Sequence, residues 1–302
     1  MPPAVVPRNG RHGRGRVQTV LIYAYQIVFA FSIFILISLG LAVIFGMMRV
    51  INLAQGEFIM LGAYGCTVIT NAGSPLWLSI ILAGLIVGAI GVVAERTVIR
   101  FLYGRVLDTL LATWGLSLLI VGIVTTVFGP QTESVPQHLG KVTIGDFAIA
   151  TYSLVMIVIA LALLAGTYAL WRYTKIGLIV RGTMQNPAMA RALGTNTERV
   201  YMFTFGFGAM LTGLAGAILV PMFGASPTMG IFYVAKAFIT VISGGHLPLL
   251  GTMSAAGLYG AIDGLVSYTT VSVLGEIAVL VVAIVLLRLL PQGITGGLRR
   301  GL

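Results

Sequence analysis

Charge is scarce in this chain. Its 302 residues include eight acidic and eighteen basic side chains, whereas a soluble domain carries about 25% charged residues. That shortage excludes a soluble enzyme, a nucleic-acid binder and a disordered tail. One cysteine, Cys66, excludes an intrachain disulfide and any multi-cysteine metal or iron–sulfur site. The three histidines, His12, His138 and His246, fall in the tail or in loops. No His-Glu-x-x-His and no Gly-x-Ser-x-Gly occurs, so neither a metal triad nor an activated serine is at hand, and no catalytic residue, metal or cofactor is expected. Gly-x-x-x-x-Gly-Lys-Ser/Thr is also missing, so the chain does not hydrolyse ATP itself. Both of the longest polar loops, Gly129 to Asp146 and Arg172 to Arg199, are under thirty residues, which leaves no room for an extramembrane domain.

Apolar residues fill the remainder. Hydrophobic content is 58% with 39 glycines, and mean hydropathy is +1.03. Glycine inside apolar runs suits helices packed closely in lipid. A helix needs about 20 apolar residues to cross the hydrocarbon core. Eight such runs predict spans near Leu21–Phe45, Leu76–Ala94, Leu107–Phe128, Phe147–Trp171, Val200–Pro221, Ile231–Ile242, Thr252–Tyr268 and Leu274–Leu290, the sixth being short. The expected fold is an all-α polytopic membrane protein of about eight transmembrane helices plus one re-entrant or broken helix. Its single membrane domain covers 21–292, between a basic tail at 1–20 and a second tail at 293–302.

The extra element is Met47 to Ala72, apolar but interrupted by Asn52, Gln55, Gly56 and Glu57. If it returns to the face it entered from, fifteen of the eighteen basic residues share one face, leaving Arg49, Lys141 and Lys236. The positive-inside rule makes that face cytoplasmic and favours the return, with both termini cytoplasmic. The long apolar stretch after the basic N-terminal residues reads as a signal anchor, not a cleaved leader.

Ionisable groups within spans are costly and mark candidate sites. Asn52, Gln55 and Glu57 fall within six residues, beside Gly56, whose backbone tolerates a break. Irregular backbone at membrane depth is allowed where it is buried in protein or lines a watery cavity. The cluster therefore reads as lining a solute path; the alternative is that Asn52 and Glu57 satisfy the break and pair with Arg49. Thr113 and Trp114 in the third span are further path candidates, against a plain packing role for the indole. Asp263, Glu276 and Lys236 lie in or beside the last spans, as a proton relay or as an internal ion pair.

A loop at 172–199 is built for contact. Asn186 suits an N-cap, Pro187 the first helical position, and Gly194 a helix stop. A helix that short is unstable alone in water and needs a surface, its own bundle or a partner protein.

These segments together resemble the permease family of branched-chain amino acid ABC importers, which includes urea and short-chain amide permeases. The resemblance runs from about Leu36 to Gly296. It rests on Val50-Ile51-Asn52-Leu53-Ala54-Gln55-Gly56-Glu57, on Gly177 to Gly194 with Arg199-Val200, on Thr204-Phe205-Gly206-Phe207-Gly208 to Gly216, and on Arg288 to Gly293 ending in Pro291-Gln292-Gly293. Asp108 to Leu118, Phe128-Gly129-Pro130-Gln131 and Gln185 to Ala190 look more like the urea-type branch. Two positions depart from the family pattern: Gln55 stands where His is common, and Leu247 where glycine is usual.

The resemblance implies a multi-pass subunit of the bacterial inner membrane that pairs with a second permease. It also implies two ATP-binding cassette subunits, coupled through Arg181, Asn186, Pro187, Ala188, Met189, Ala190, Arg191 and Gly194, and a periplasmic or extracellular solute-binding protein that delivers a small-molecule solute. A proton-coupled secondary carrier using Asp263 and Glu57 is the rival.

Overall fold

Each predicted run becomes a helix, because a chain in lipid must satisfy its backbone groups internally. The computed structural model describes residues 12–48, 50–136, 139–144, 147–245 and 247–296. In chain order the helices are α1 (His12–Met48), α2 (Gln55–Asn71), α3 (Leu76–Thr97), α4 (Val106–Phe128), α5 (Thr151–Tyr173), α6 (Lys175–Gln185), α7 (Pro187–Ala192), α8 (Thr197–Phe223), α9 (Met229–Gly244), α10 (Pro248–Thr269) and α11 (Ser272–Leu289). Seven of these are long and apolar enough to cross a membrane, and α9 is a shorter apolar helix. The fold is all-α and polytopic, as expected, with the interruption between α1 and α2.

The core is the region where α1 and α8 pack with α2, α3, α9 and α10. Close backbone approach sets it: Gly56 faces the carbonyl of Gly230, and Gly216 faces the carbonyl of Ile59, so tightly that a Cβ would overlap either one. Tyr152 on α5 donates its hydroxyl to the Ile218 carbonyl of α8 at 2.7 Å, pinning a third layer to this core. By contrast α4 and α11 bury little of their length.

Contacts fix the directions of α1, α2, α3, α8 and α10. On α1, Tyr23 stacks edge-on with Tyr268 while Gly46 meets Pro248, so α1 and α10 are antiparallel. Gly40 against Thr212 and Ile44 against Gly208 make α1 antiparallel to α8 as well. Gln55 bonds to Thr212 and Ile59 touches Gly216, which makes α2 parallel to α8. Gly84 against Leu214 and Gly91 against Ala209 turn α3 back again.

The stretch after α1 therefore crosses, and the return to its entry face that charge counting favours does not occur. The 17-residue helix alone supplies about 26 Å of reach, and with the non-helical residues 50–54 before it the segment is long enough to traverse the hydrocarbon core. As a consequence, the first turns of the membrane part of α1 and the last turn of α11 lie at opposite ends of the bundle. Tyr25 meets Ser153 at one end, and Gly293 meets Gly245 at the other. The expectation that both termini share the cytoplasmic face is corrected accordingly. It assumed that the N-terminal arginines must lie with the loop arginines; Arg8 and Arg11 lie outside the described residues, as do Arg49, Arg299 and Arg300. The loop arginines do cluster: those between α3 and α4, from α5 to α8 and on α11 all fall at the α7 end.

Two local elements were not expected. An antiparallel hairpin, β1 (Lys141–Ile144) and β2 (Phe147–Ala150), occupies the end opposite α7. Residues 147–150 belong to it, so α5 begins at Thr151 and not at Phe147. Helix α6, capped by the Thr174 hydroxyl accepting from the Gly177 N–H at 3.1 Å, precedes α7.

Candidate functional site

The break between α1 and α2 is held by side chains. Helix α1 ends at Met48, and residues 50–54, before α2 begins at Gln55, are non-helical. Asn52 replaces part of the lost backbone bonding: its Oδ1 accepts from the Ala54 N–H at 3.1 Å, an Asx turn. Its amide donates to Gln55 Oε1 at 3.2 Å. Gln55 in turn donates to the Thr212 hydroxyl of α8, which donates to the Gly208 carbonyl at 2.9 Å. Asn52, Gln55 and Thr212 are fully buried. They explain how a broken helix persists at membrane depth, since each polar group finds a partner.

The opposite wall is α4. The Leu53 N–H donates to the Thr113 hydroxyl at 3.2 Å. One turn further along, Ser117 donates to Glu57 Oε1 at 2.7 Å. Glu57 is 1% exposed, and its other oxygen, Oε2, is buried with no hydrogen-bond partner among the described residues. Gly230 of α9 closes the third side, packed against Gly56 and the Glu57 carboxyl carbon. An open acceptor in a buried site is a place where a ligand N–H or O–H could bond.

The structure thus brings together Asn52, Gln55, Gly56, Glu57 and Thr113. Trp114 is not with them: it is 54% exposed and points out from the bundle on α4. Arg49 lies outside the described residues, so its pairing with Glu57 is not part of this picture. Ser117 and Thr109 escaped the sequence reading, although Thr109, Thr113 and Ser117 recur every four residues, the spacing that aligns side chains on one helix face. Thr109 borders a cavity of about 280 Å³ at the α7 end, walled by Val50, Ile51, Tyr103 and Tyr201. The three hydroxyls form a polar seam from that cavity to Glu57. Tyr103, outside the spans, donates to Glu95 at 2.7 Å; burial first, and that bond second, push its hydroxyl well above the usual tyrosine range.

At the same end, α7 is built as its sequence predicts. Asn186 Oδ1 accepts from the Met189 N–H at 3.0 Å, Pro187 opens the helix, and Gly194 stops the chain at φ +83°. Arg191 Nε reaches back to the Pro187 carbonyl at 3.3 Å, and Arg181 Nε to the Gly177 carbonyl at 3.3 Å. Ala190 is buried and faces the bundle, Ala188 is exposed, and Met189 and Leu193 are 58% and 78% exposed. With Leu178 and Ile179 on α6, also exposed, they form an apolar patch at the α7 end.

The remaining polar candidates pair elsewhere. Lys236 and Glu276 form an ion pair at 2.7 Å, and Asp263 accepts from Ser267 at 3.1 Å. His138 and His246 lie outside the described residues. No group of three or more His, Cys, Asp or Glu suited to a metal occurs among the described residues.

Comparison with known proteins gives the family. The family model described as branched-chain amino acid transport system / permease component matches residues 23–290. A probable branched-chain amino acid transport permease protein LivH of Methanocaldococcus jannaschii is 27% identical over 285 residues, covering 88% of this chain and 89% of the relative. The high-affinity branched-chain amino acid transport system permease protein LivH of Escherichia coli (strain K12) is 28% identical over 283 residues, 88% and 92% of the two chains. The autoinducer 2 import system permease protein LsrC of Enterobacter sp. (strain 638) is 30% identical over 250 residues, 82% and 71%. No solved structure matches.

Proposed function

Since the chain belongs to the family of branched-chain amino acid transport system permease components, we propose that it forms the solute path of an ATP-driven importer in the cytoplasmic membrane. The single observation that carries the path assignment is the buried break at 50–54 with the unpartnered Glu57 oxygen beside it. Solute meets Asn52, Gln55 and Glu57 from one wall and Thr113 and Ser117 from the other, then leaves along the hydroxyl seam toward the cavity at the α7 end. That end faces the cytoplasm, in keeping with its cluster of loop arginines.

ATP is hydrolysed by two separate cassette subunits, which dock on the apolar patch of α6 and α7. A push there reaches α8, whose first turn follows Gly194, and through α8 the partner of Gln55. Alternating access results when the two ends of the bundle exchange open and closed states. The partly unburied helix α4 offers a face to a second permease, and a binding protein delivers solute at the opposite end.

The amides and hydroxyls around the break, with one open acceptor, suit a small amide-like solute such as urea or a short-chain amide. Branched-chain amino acids are the second reading, favoured by the printed names of the LivH relatives. Uptake of radiolabelled urea, acetamide and leucine, with this chain present or deleted and with ATP depleted, separates the readings. Amide uptake lost on both deletion and depletion supports the first, and leucine uptake with the same losses supports the second. Uptake abolished by ionophore alone, with ATP irrelevant, would sink the importer model.

A further inference from the structure

A second polar site stands apart from the break. Lys236 on α9 donates to Glu276 on α11 at 2.7 Å, and Asp263 on α10 has the Ser267 hydroxyl as its described hydrogen-bond partner. All three border one cavity of about 180 Å³ whose other walls are apolar. At 1.5 Å per residue Asp263 and Glu276 lie roughly 9 and 6 Å along α10 and α11 from the ends opposite α7, and the Lys236 ammonium reaches that level through its bond to Glu276. This is the level of the headgroups and upper acyl chains of one leaflet, not the bilayer centre. Phe232 and Leu280, on the rim, are exposed on the flank of the bundle, where lipid has access.

The charges are of both signs with one carboxylate in excess. A lysine ammonium has three donors, so Lys236 can hold Glu276 and an anionic oxygen together. Asp263 is left to attract a cation that can donate hydrogen bonds. The complement is a zwitterion with an anionic group, a primary ammonium and apolar chains reaching out over Phe232 and Leu280. Basic pockets between membrane helices bind anionic headgroups; one cation beside two carboxylates suits instead a headgroup that carries both charges.

We propose that the α9–α10–α11 cavity binds an aminophospholipid of the leaflet opposite α7, its phosphate on Lys236 and its ammonium on Asp263. A choline headgroup lacks N–H donors and a glycerol headgroup lacks the cation, so both are discriminated against. The inference stands whichever solute crosses at Glu57.

The full chain, extracted with its partner subunits, is placed in nanodiscs holding equal parts phosphatidylethanolamine, phosphatidylcholine and phosphatidylglycerol, and retained lipid is counted by native mass spectrometry. Wild type is expected to keep the ethanolamine lipid about ten-fold or more over either competitor, the scale of a charge-assisted hydrogen bond. Asp263→Asn should abolish that preference. Leu280→Trp, which fills the rim without touching a charge, should lose the lipid while remaining monodisperse. Equal retention of the three lipids by wild type overturns the proposal even if a variant fails to assemble. So does unchanged preference in Asp263→Asn, or displacement of the lipid by free leucine, which would make the cavity a solute site.

Discussion

Ser117 and Glu57 are joined by a 2.7 Å hydrogen bond between two helices that otherwise touch little. The bond occupies one carboxylate oxygen and leaves Oε2 buried and open. Everything proposed about the solute path turns on that asymmetry, because a fully satisfied carboxylate would be a structural brace.

Glu57→Gln keeps the shape of the side chain but turns one oxygen into a donor. Uptake should fall roughly ten-fold or more, on the scale of one lost hydrogen bond to a charged group, with normal membrane insertion. Ser117→Ala should cost less, about two- to five-fold, because water or solute can replace the hydroxyl. Initial rates of labelled-solute uptake at matched expression check both, and normal rates in Glu57→Gln would confine that residue to bracing.

Close backbone approach predicts a sharp contrast among glycines. At Gly216 a Cβ would lie 1.8 Å from the Ile59 carbonyl oxygen, whereas at Gly122 nothing lies within 4 Å. Gly216→Ala should destabilise the detergent-solubilised protein severely. Gly122→Ala should be neutral or stabilising by up to about 1 kcal/mol, since glycine weakens a helix interior. Thermal unfolding of the two variants side by side decides it.

Coupling should be separable from folding at the α7 end. Asn186→Ala removes an N-cap worth about 1 kcal/mol, and Gly194→Val forces a branched side chain into positive φ. Both variants should insert and bind partners weakly, with uptake falling while the ATPase subunits turn over on their own. ATPase assays alongside uptake read this out, and full uptake in both variants would remove α7 from the coupling role.

The crossing of residues 50–71 has a direct chemical test. In a Cys66→Ala background, Val20→Cys and Ala72→Cys should react with an impermeant thiol reagent from one face, and Arg191→Cys from the other. A segment that returned to its entry face would put Val20→Cys with Arg191→Cys, opposite Ala72→Cys.

The helices were legible because span length and charge bracket each run, and α7 because Asn186, Pro187 and Gly194 each carry a local backbone signal. The polar cluster was legible too, since Asn52, Gln55 and Glu57 are expensive in lipid. Its connectivity was not, because the partners of Gln55 and Gly56 are Thr212 and Gly230, distant in sequence. The direction of α2 was lost for the same reason: charge counting weighed the N-terminal arginines against the loops and had no access to the contacts of Gly40 or Ile59. Trp114 drew attention by its chemistry, whereas Ser117, on the buried face, was given away only by a four-residue spacing.

The Gln55–Thr212 bond also bears on how the protein is made. Its two residues are 157 positions apart, which at 5–20 residues per second is roughly 8–30 s of synthesis. Until α8 emerges from the ribosome, Gln55 lacks the hydroxyl it donates to, and the broken stretch is held only by its own Asn52 bonds and, once α4 is made, by Thr113. Biogenesis therefore has a waiting period, during which residues 50–54 must be sheltered by water, the insertion machinery or a neighbouring chain.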